Sequence, residues 1–135
     1  MNKTMRKAVK IRAKYLCEYC LSPEYFCPDP FEGDHIIALS KDGKDELENL
    51  ALACSGCNGL KHDAIFAFDA ATCQLVPLYN PRKDIWAEHF RWNEGYTHIV
   101  GISPIGRATV AKLKLNREGL VNLRTALYKV GEHPN

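Results

Sequence analysis

The sequence predicts an α+β chain. Its expected core is a short hairpin followed by a helix, stapled by a four-cysteine zinc site, with an N-terminal helix before it and a hairpin-plus-helices extension after it. Three observations carry that expectation. Two Cys-x-x-Cys pairs, Cys17/Cys20 and Cys54/Cys57, stand 33 residues apart, a gap that can hold a hairpin. Two brief extended runs lie inside that gap. Outside it, apolar residues recur at helical spacing near both ends of the chain.

Taken in order, residues 3–16 fit an amphipathic helix. Met5, Val9, Ala13 and Leu16 share one face, and Lys3, Lys7, Lys10 and Lys14 share another. Such a lysine row is either a solvated face or a contact for backbone phosphates. Residues 21–32 hold Pro23, Pro28 and Pro30 and read as a loop. A strand is expected from His35 to Leu39, then a tight turn at Asp42-Gly43. Ala51–Ala53 reads as a second strand, and a helix is expected from Ser55 to about Phe68. Residues 69–85 read as turn and connection. The aromatic run Trp86–Trp92, the turn at Asn93-Glu94-Gly95 and a strand over 96–102 suggest a hairpin. Residues 105–115 are compatible with helix. Asn116 is the expected N-cap of a last helix with Leu120, Leu123, Leu127 and Val130 on one face and Gly131 at its end.

Length suits one domain, divided as a basic helix over 1–16, a core over 17–68 and an extension over 69–135. No run of 18 apolar residues occurs, and no signal-peptide core follows the basic N-terminus, so the expected location is cytoplasmic, without a membrane partner. In that reducing compartment six cysteines point to metal rather than to disulfides. The net charge is only +2, but residues 1–14 alone carry six basic groups and no acid, which leaves −4 for the rest. A basic arm on a slightly acidic body suits a nucleic-acid partner.

Four thiolates in two short knuckles are what a tetrahedral structural zinc requires. A thioredoxin-like redox pair is the competing reading, without a βαβ pattern to support it. Cys27 and Cys73 are left over, as buried or free thiols. Inside the cysteine frame stands a set suited to hydrolysis. Asp34 offers a hard oxygen ligand for Mg2+ or Mn2+. His35 is the natural general base at neutral pH. Asn58 and His62, four residues apart on the expected helix, could approach one ion. Lys61 beside them either touches a phosphate or faces solvent. His89, His98 and His133 read as structural or surface residues, and the aromatics of the extension as core.

The order Cys-x-x-Cys, Asp34-His35-Ile36, Asn49-Leu50, Cys54-x-x-Cys57-Asn58-x-x-Lys61 resembles the HNH endonucleases, the ββα-metal nucleases, in their zinc-stapled form. The resemblance covers residues 17–66 and implies a metal-dependent endonuclease acting on DNA, with RNA not excluded. Carried over by position, Asp34 and Asn58 would hold the catalytic divalent ion, Mg2+ or Mn2+. His35 would activate water, and Asn49 would hold the loop that orients it. Asn58 stands where the family's name has its second His, and an oxygen donor there favours the harder ions. Some members have a further His ligand where His62 lies. The tail from Trp86 to Asn116 resembles an extension seen in bacterial HNH proteins. A zinc-containing module that binds nucleic acid without cutting it is the alternative.

Overall fold

Asn2 opens the first helix, its side-chain oxygen accepting the Met5 amide at 2.8 Å. In the computed structural model, which describes residues 1–135, helix α1 spans Lys3–Arg12. The expected helix over 3–16 is therefore four residues too long. Lys14 and Tyr15 take φ of 56° and 59°, which breaks the helical path and turns the chain into the first cysteine knuckle. Val9 is buried on the apolar face, and α1 packs on strand β2 (Leu50–Ala53).

The chain forms two compact units, Met1–Ile65 with Asn80–Asp84, and Phe66–Tyr79 with Ile85–Asn135. In the first, β1 (Glu32–His35) pairs antiparallel with β2, with Asp34 opposite Ala51 and His35 opposite Leu50. The strand expected at 35–39 therefore lies earlier. The apolar run after His35 leaves the ladder, because Ile37 is held by the Asn49 side chain and the chain turns through Leu39–Lys41. Asp42 (φ 66°) closes that turn, and Gly43 follows it so closely that a Cβ would lie 1.7 Å from the Ile37 carbonyl oxygen. Glycine is required there.

All four residues of β2 are buried. Its outer edge is fully occupied. The Glu18 amide donates to the Leu52 carbonyl (2.8 Å), and the Leu52 amide donates to the Glu18 carboxylate (2.8 Å). The Arg12 guanidinium donates to the Leu47 and Leu50 carbonyls at 2.9 and 2.6 Å. Arg82 in turn grips the other Glu18 oxygen.

Helix α2 (Ser55–Lys61) follows β2 directly, giving a β-β-α succession. It ends well before the expected Phe68. His62 takes φ 50° and ψ −120°, and Phe66 is already in strand β3 (Phe66–Asp69), paired with Pro77 of β4 (Gln74–Pro77). The β3–β4 hairpin replaces the end of the expected helix and part of the 69–85 stretch expected as connection, its short alternating runs and Pro77 giving only a weak strand pattern.

In the second unit α4 (Pro104–Lys112) packs on β3, and Arg107 forks onto Asp69 with bonds of 3.0 and 3.1 Å. The aromatic run begins as a helical turn, α3 (Trp86–His89), before β5 (Phe90–Trp92) pairs with β6 (Ile99–Gly101). Asn116 does not cap the last helix, α5 (Glu118–Lys129), whose N-cap is Arg117. Its side chain instead bonds both the amide and the carbonyl of Ile99, at 2.7 and 2.8 Å. Leu120 and Leu127 are buried as expected, while Val130 is 68% exposed beyond the helix end. Trp86, Phe90, Trp92 and His133 form a chain of ring contacts with centroids 4.6–5.9 Å apart. The architecture is mixed α+β with three small antiparallel sheets.

Candidate active site and structural metal centre

The two cysteine knuckles meet in the first unit. The Sγ atoms of Cys17, Cys20, Cys54 and Cys57 all lie within 4.8 Å of one another, and all four residues are buried. In each pair the later backbone amide faces the earlier sulfur, Cys20 N to Cys17 Sγ at 3.5 Å and Cys57 N to Cys54 Sγ at 3.4 Å. That is how a knuckle presents sulfur as an anion. A tetrahedral ion with sulfurs at ~2.3 Å sets them about 3.8 Å apart. The Cys20–Cys54 separation of 3.7 Å agrees. Burial first, and then the three neighbouring cysteine sulfurs, push the Cys17 thiol well above its ordinary pKa, so a thiolate there needs a cation beside it. The donor set, spacing and burial fit a structural zinc. Cys27 and Cys73 stand outside it as free thiols, half-buried and exposed respectively.

Beside this centre is an open cleft of about 300 Å³, lined by Gly33, Asp34, His35, Ala38, Leu39, Ser40, Asn58 and His62. Asp34, His35, Asn58 and His62, from a strand, a helix and a helix end, thus share one surface. Asp34 is 4% exposed at the floor. Tyr19, inside the first knuckle, donates its hydroxyl to Asp34 Oδ2 at 2.7 Å. Burial raises the Asp34 carboxyl above the usual carboxylate value, opposed by the Lys61 charge and the Tyr19 hydroxyl. Asp34 also holds the Tyr19 hydroxyl protonated, which burial favours most.

Lys61 corrects an expectation. Rather than facing solvent or a phosphate, it is 1% exposed, with Nζ 3.3 Å from Asp34 Oδ2 and 3.3 Å from the His35 carbonyl. The helix turns its last residue inward, because α2 packs directly on β1. His62 is also placed differently from expectation. It caps the helix, its amide still donating to the Asn58 carbonyl at 2.9 Å, but φ of 50° turns its side chain outward, 82% exposed with Nδ1 3.2 Å from Asp63.

His35 Nε2 lies 2.9 Å from Asp45 Oδ1. A carboxylate in that place fixes the proton on Nε2 and leaves Nδ1 as the basic nitrogen. Asn49 accepts from the Ile37 amide (2.9 Å) and donates to the Ile37 and Lys44 carbonyls (2.9 and 2.8 Å). It therefore ties the two ends of the loop that carries Asp45. Asn58 donates its amide to Glu32 Oε2 at 2.6 Å, which orients its Oδ1 as a free acceptor.

Sequence reasoning missed Tyr19, Glu32 and Asp45. Glu32 was accessible in principle, two residues before Asp34 on one strand face. Asp45 and Tyr19 carry no local signal. Of the basic row, Lys3 and Lys7 are exposed on α1, but Lys10 is paired with Glu24 at 2.9 Å and Lys14 lies beyond the helix. The single lysine face is therefore reduced to its first half.

The donors in the cleft, a carboxylate and a carboxamide oxygen with an exposed imidazole, suit a hard divalent ion that keeps several waters. Residues 17–64, 48 of the 135, match the family model described as HNH endonuclease. That segment contains both cysteine knuckles and all eight residues that line the cleft. Neither the curated proteins nor the solved structures contain a match to this chain. No helix is long and apolar enough to cross a membrane.

Proposed function

We propose that this chain, whose residues 17–64 carry an HNH-type segment, is a metal-dependent endonuclease that hydrolyses DNA phosphodiester bonds. The family match indicates a nuclease or nucleic-acid-binding role. The finer reading rests on one observation: Asp34, His35 and Asn58 open onto the same cleft beside the cysteine centre.

In this reading Asp34 and Asn58 would hold Mg2+ or Mn2+, with His62 free to swing in as a further donor. The ion would supply positive charge against the phosphate as negative charge grows on its oxygens. The residues do the rest. His35, oriented through Nε2 by Asp45, takes a proton from water at Nδ1. That water attacks phosphorus in line, the bond from phosphorus to the 3′ oxygen breaks and the departing oxygen takes a proton from solvent water, leaving 5′-phosphate and 3′-hydroxyl ends. Asn49 holds the loop in which Asp45 sits. Lys3 and Lys7 offer exposed charge to the DNA backbone.

The test is incubation of purified protein with supercoiled plasmid and Mg2+ or Mn2+, beside His35→Ala. Nicking by the wild type that falls at least 100-fold in the variant, about the scale of a lost general base, is expected. Equal nicking by both, or none by the wild type, refutes the reading. One observation favours the alternative of a zinc module that binds without cutting: Asp34 is already paired with Lys61. Salt-dependent duplex binding without cleavage under any divalent ion would establish it.

A further inference from the structure

On the reading that Asp34 is a cation ligand, we propose that Lys61 makes divalent-cation binding in this cleft depend on nucleic-acid phosphate. Lys61 and Asp34 are buried to 1% and 4% exposure, and their charges cancel at the cleft floor. The ammonium is held in place by both carboxylate oxygens, at 3.4 and 3.3 Å, and by the His35 carbonyl at 3.3 Å. A divalent ion that takes Asp34 as ligand must share that carboxylate with a fixed positive charge. Both side chains are buried, so solvent screens the two cations from each other only weakly and they repel.

The other acids nearby do not restore the balance. None of them lines the cleft: Glu32 keeps its charge but is turned to the Asn58 amide, while Asp45 and Asp63 lie against the outer sides of His35 and His62. Asn58 contributes an oxygen but no charge. The protein alone therefore offers a divalent ion no net negative charge at its principal donor. A phosphodiester entering the cleft supplies it. Cation and nucleic acid then bind with positive coupling, and each raises the affinity of the other by the same factor. An ion is retained when substrate is present and released when it leaves.

The experiment uses zinc-loaded, full-length His35→Ala protein, which leaves DNA intact while its main-chain carbonyl still holds Lys61. Mn2+ binding is followed by electron paramagnetic resonance of the free ion, with and without a short duplex, against the duplex alone. Duplex binding is followed by fluorescence anisotropy with and without Mn2+. The expected result is Mn2+ affinity about tenfold or more higher with duplex, matched by the same factor for duplex with Mn2+. In Lys61→Met, or Lys61→Gln where the former does not fold, the DNA-free protein binds Mn2+ more tightly and the coupling falls below about threefold. Equal Mn2+ affinity with and without duplex overturns the proposal, as does full coupling in a folded Lys61 variant. Asp34→Asn separates the layers. If it binds Mn2+ as its parent does, the ligand reading itself fails; if it loses Mn2+ while coupling is absent in the parent, only the role of Lys61 fails.

Discussion

Replacing Asn49 by alanine tests whether the loop between the two strands governs His35. The side chain makes three hydrogen bonds of 2.8–2.9 Å, one accepted from Ile37 N and two donated to the Ile37 and Lys44 carbonyls. A net ~0.5–1.5 kcal/mol per bond gives about 1.5–4.5 kcal/mol. Asn49 is only half-buried and water can replace part of what is lost, so about 2 kcal/mol is expected. For a unit of this size that lowers the melting midpoint by about 8–16 °C. Lys44 precedes Asp45, the partner of His35 Nε2, so the imidazole also loses its fixed orientation. Cleavage of supercoiled plasmid, measured at a temperature where both proteins remain folded, falls about 10- to 100-fold, the scale seen when a partner that orients a functional side chain is removed. Asn49→Asp makes a sharper control. It keeps one acceptor but turns a carboxylate toward two carbonyls, so its midpoint is expected below that of the alanine variant. A midpoint within about 2 °C of wild type would show that the loop is not held by Asn49. A large drop in midpoint with unchanged cleavage would show that the loop does not orient His35.

Zinc is expected at close to one ion per chain by elemental analysis. Cys57→Ser loses it together with cooperative unfolding of the first unit, since structural zinc binding contributes on the order of 10 kcal/mol to folding. Gly43→Ala forces the Ile37 carbonyl aside and costs about 1–3 kcal/mol, read as a lower urea midpoint; an unchanged midpoint refutes the close approach. In the second unit Arg107 holds the Asp69 carboxyl down at about 2. A folded pKa below the unfolded one stabilises above the unfolded value and is lost as pH falls through the folded one. Acid should thus lower the melting midpoint of wild type between about pH 4 and pH 2, and Asp69→Asn should flatten that dependence.

The HNH-type segment was more legible than its surroundings, for a physical reason. Cysteine pairs and an Asp-His dipeptide are local patterns whose chemistry limits what can stand there, so the cysteine cluster and the mixed α+β class could be read directly. Element boundaries could not. The run after His35 is apolar enough for a strand, yet the Asn49 side chain takes its backbone bonds, and no local pattern announces a partner 12 residues away. His62 ends α2 through a backbone conformation that residue preferences do not foretell. Lys61 is the plainest case. A lysine beside His and Asp reads as surface, and only the buried carboxylate of Asp34 explains why it turns inward. Asn116 shows the same limit, since a good capping residue found a better use on the backbone of β6.

The occupied edge of β2 has a consequence for where this module can be cut or grafted. The family match stops at residue 64 and starts at residue 17. Three of the groups that seal the strand lie outside those limits or depend on one that does: Val9 and Arg12 on α1, and Arg82, which grips Glu18 from downstream. A fragment trimmed to the recognised motif would keep every residue assigned to catalysis. It would also uncover the apolar strand β2 and open its Leu50 carbonyl to any neighbouring chain, an invitation to edge-to-edge aggregation. The matched segment is thus shorter than the unit that covers β2, and a transplant of the site has to carry the helix before it and the arginine after it.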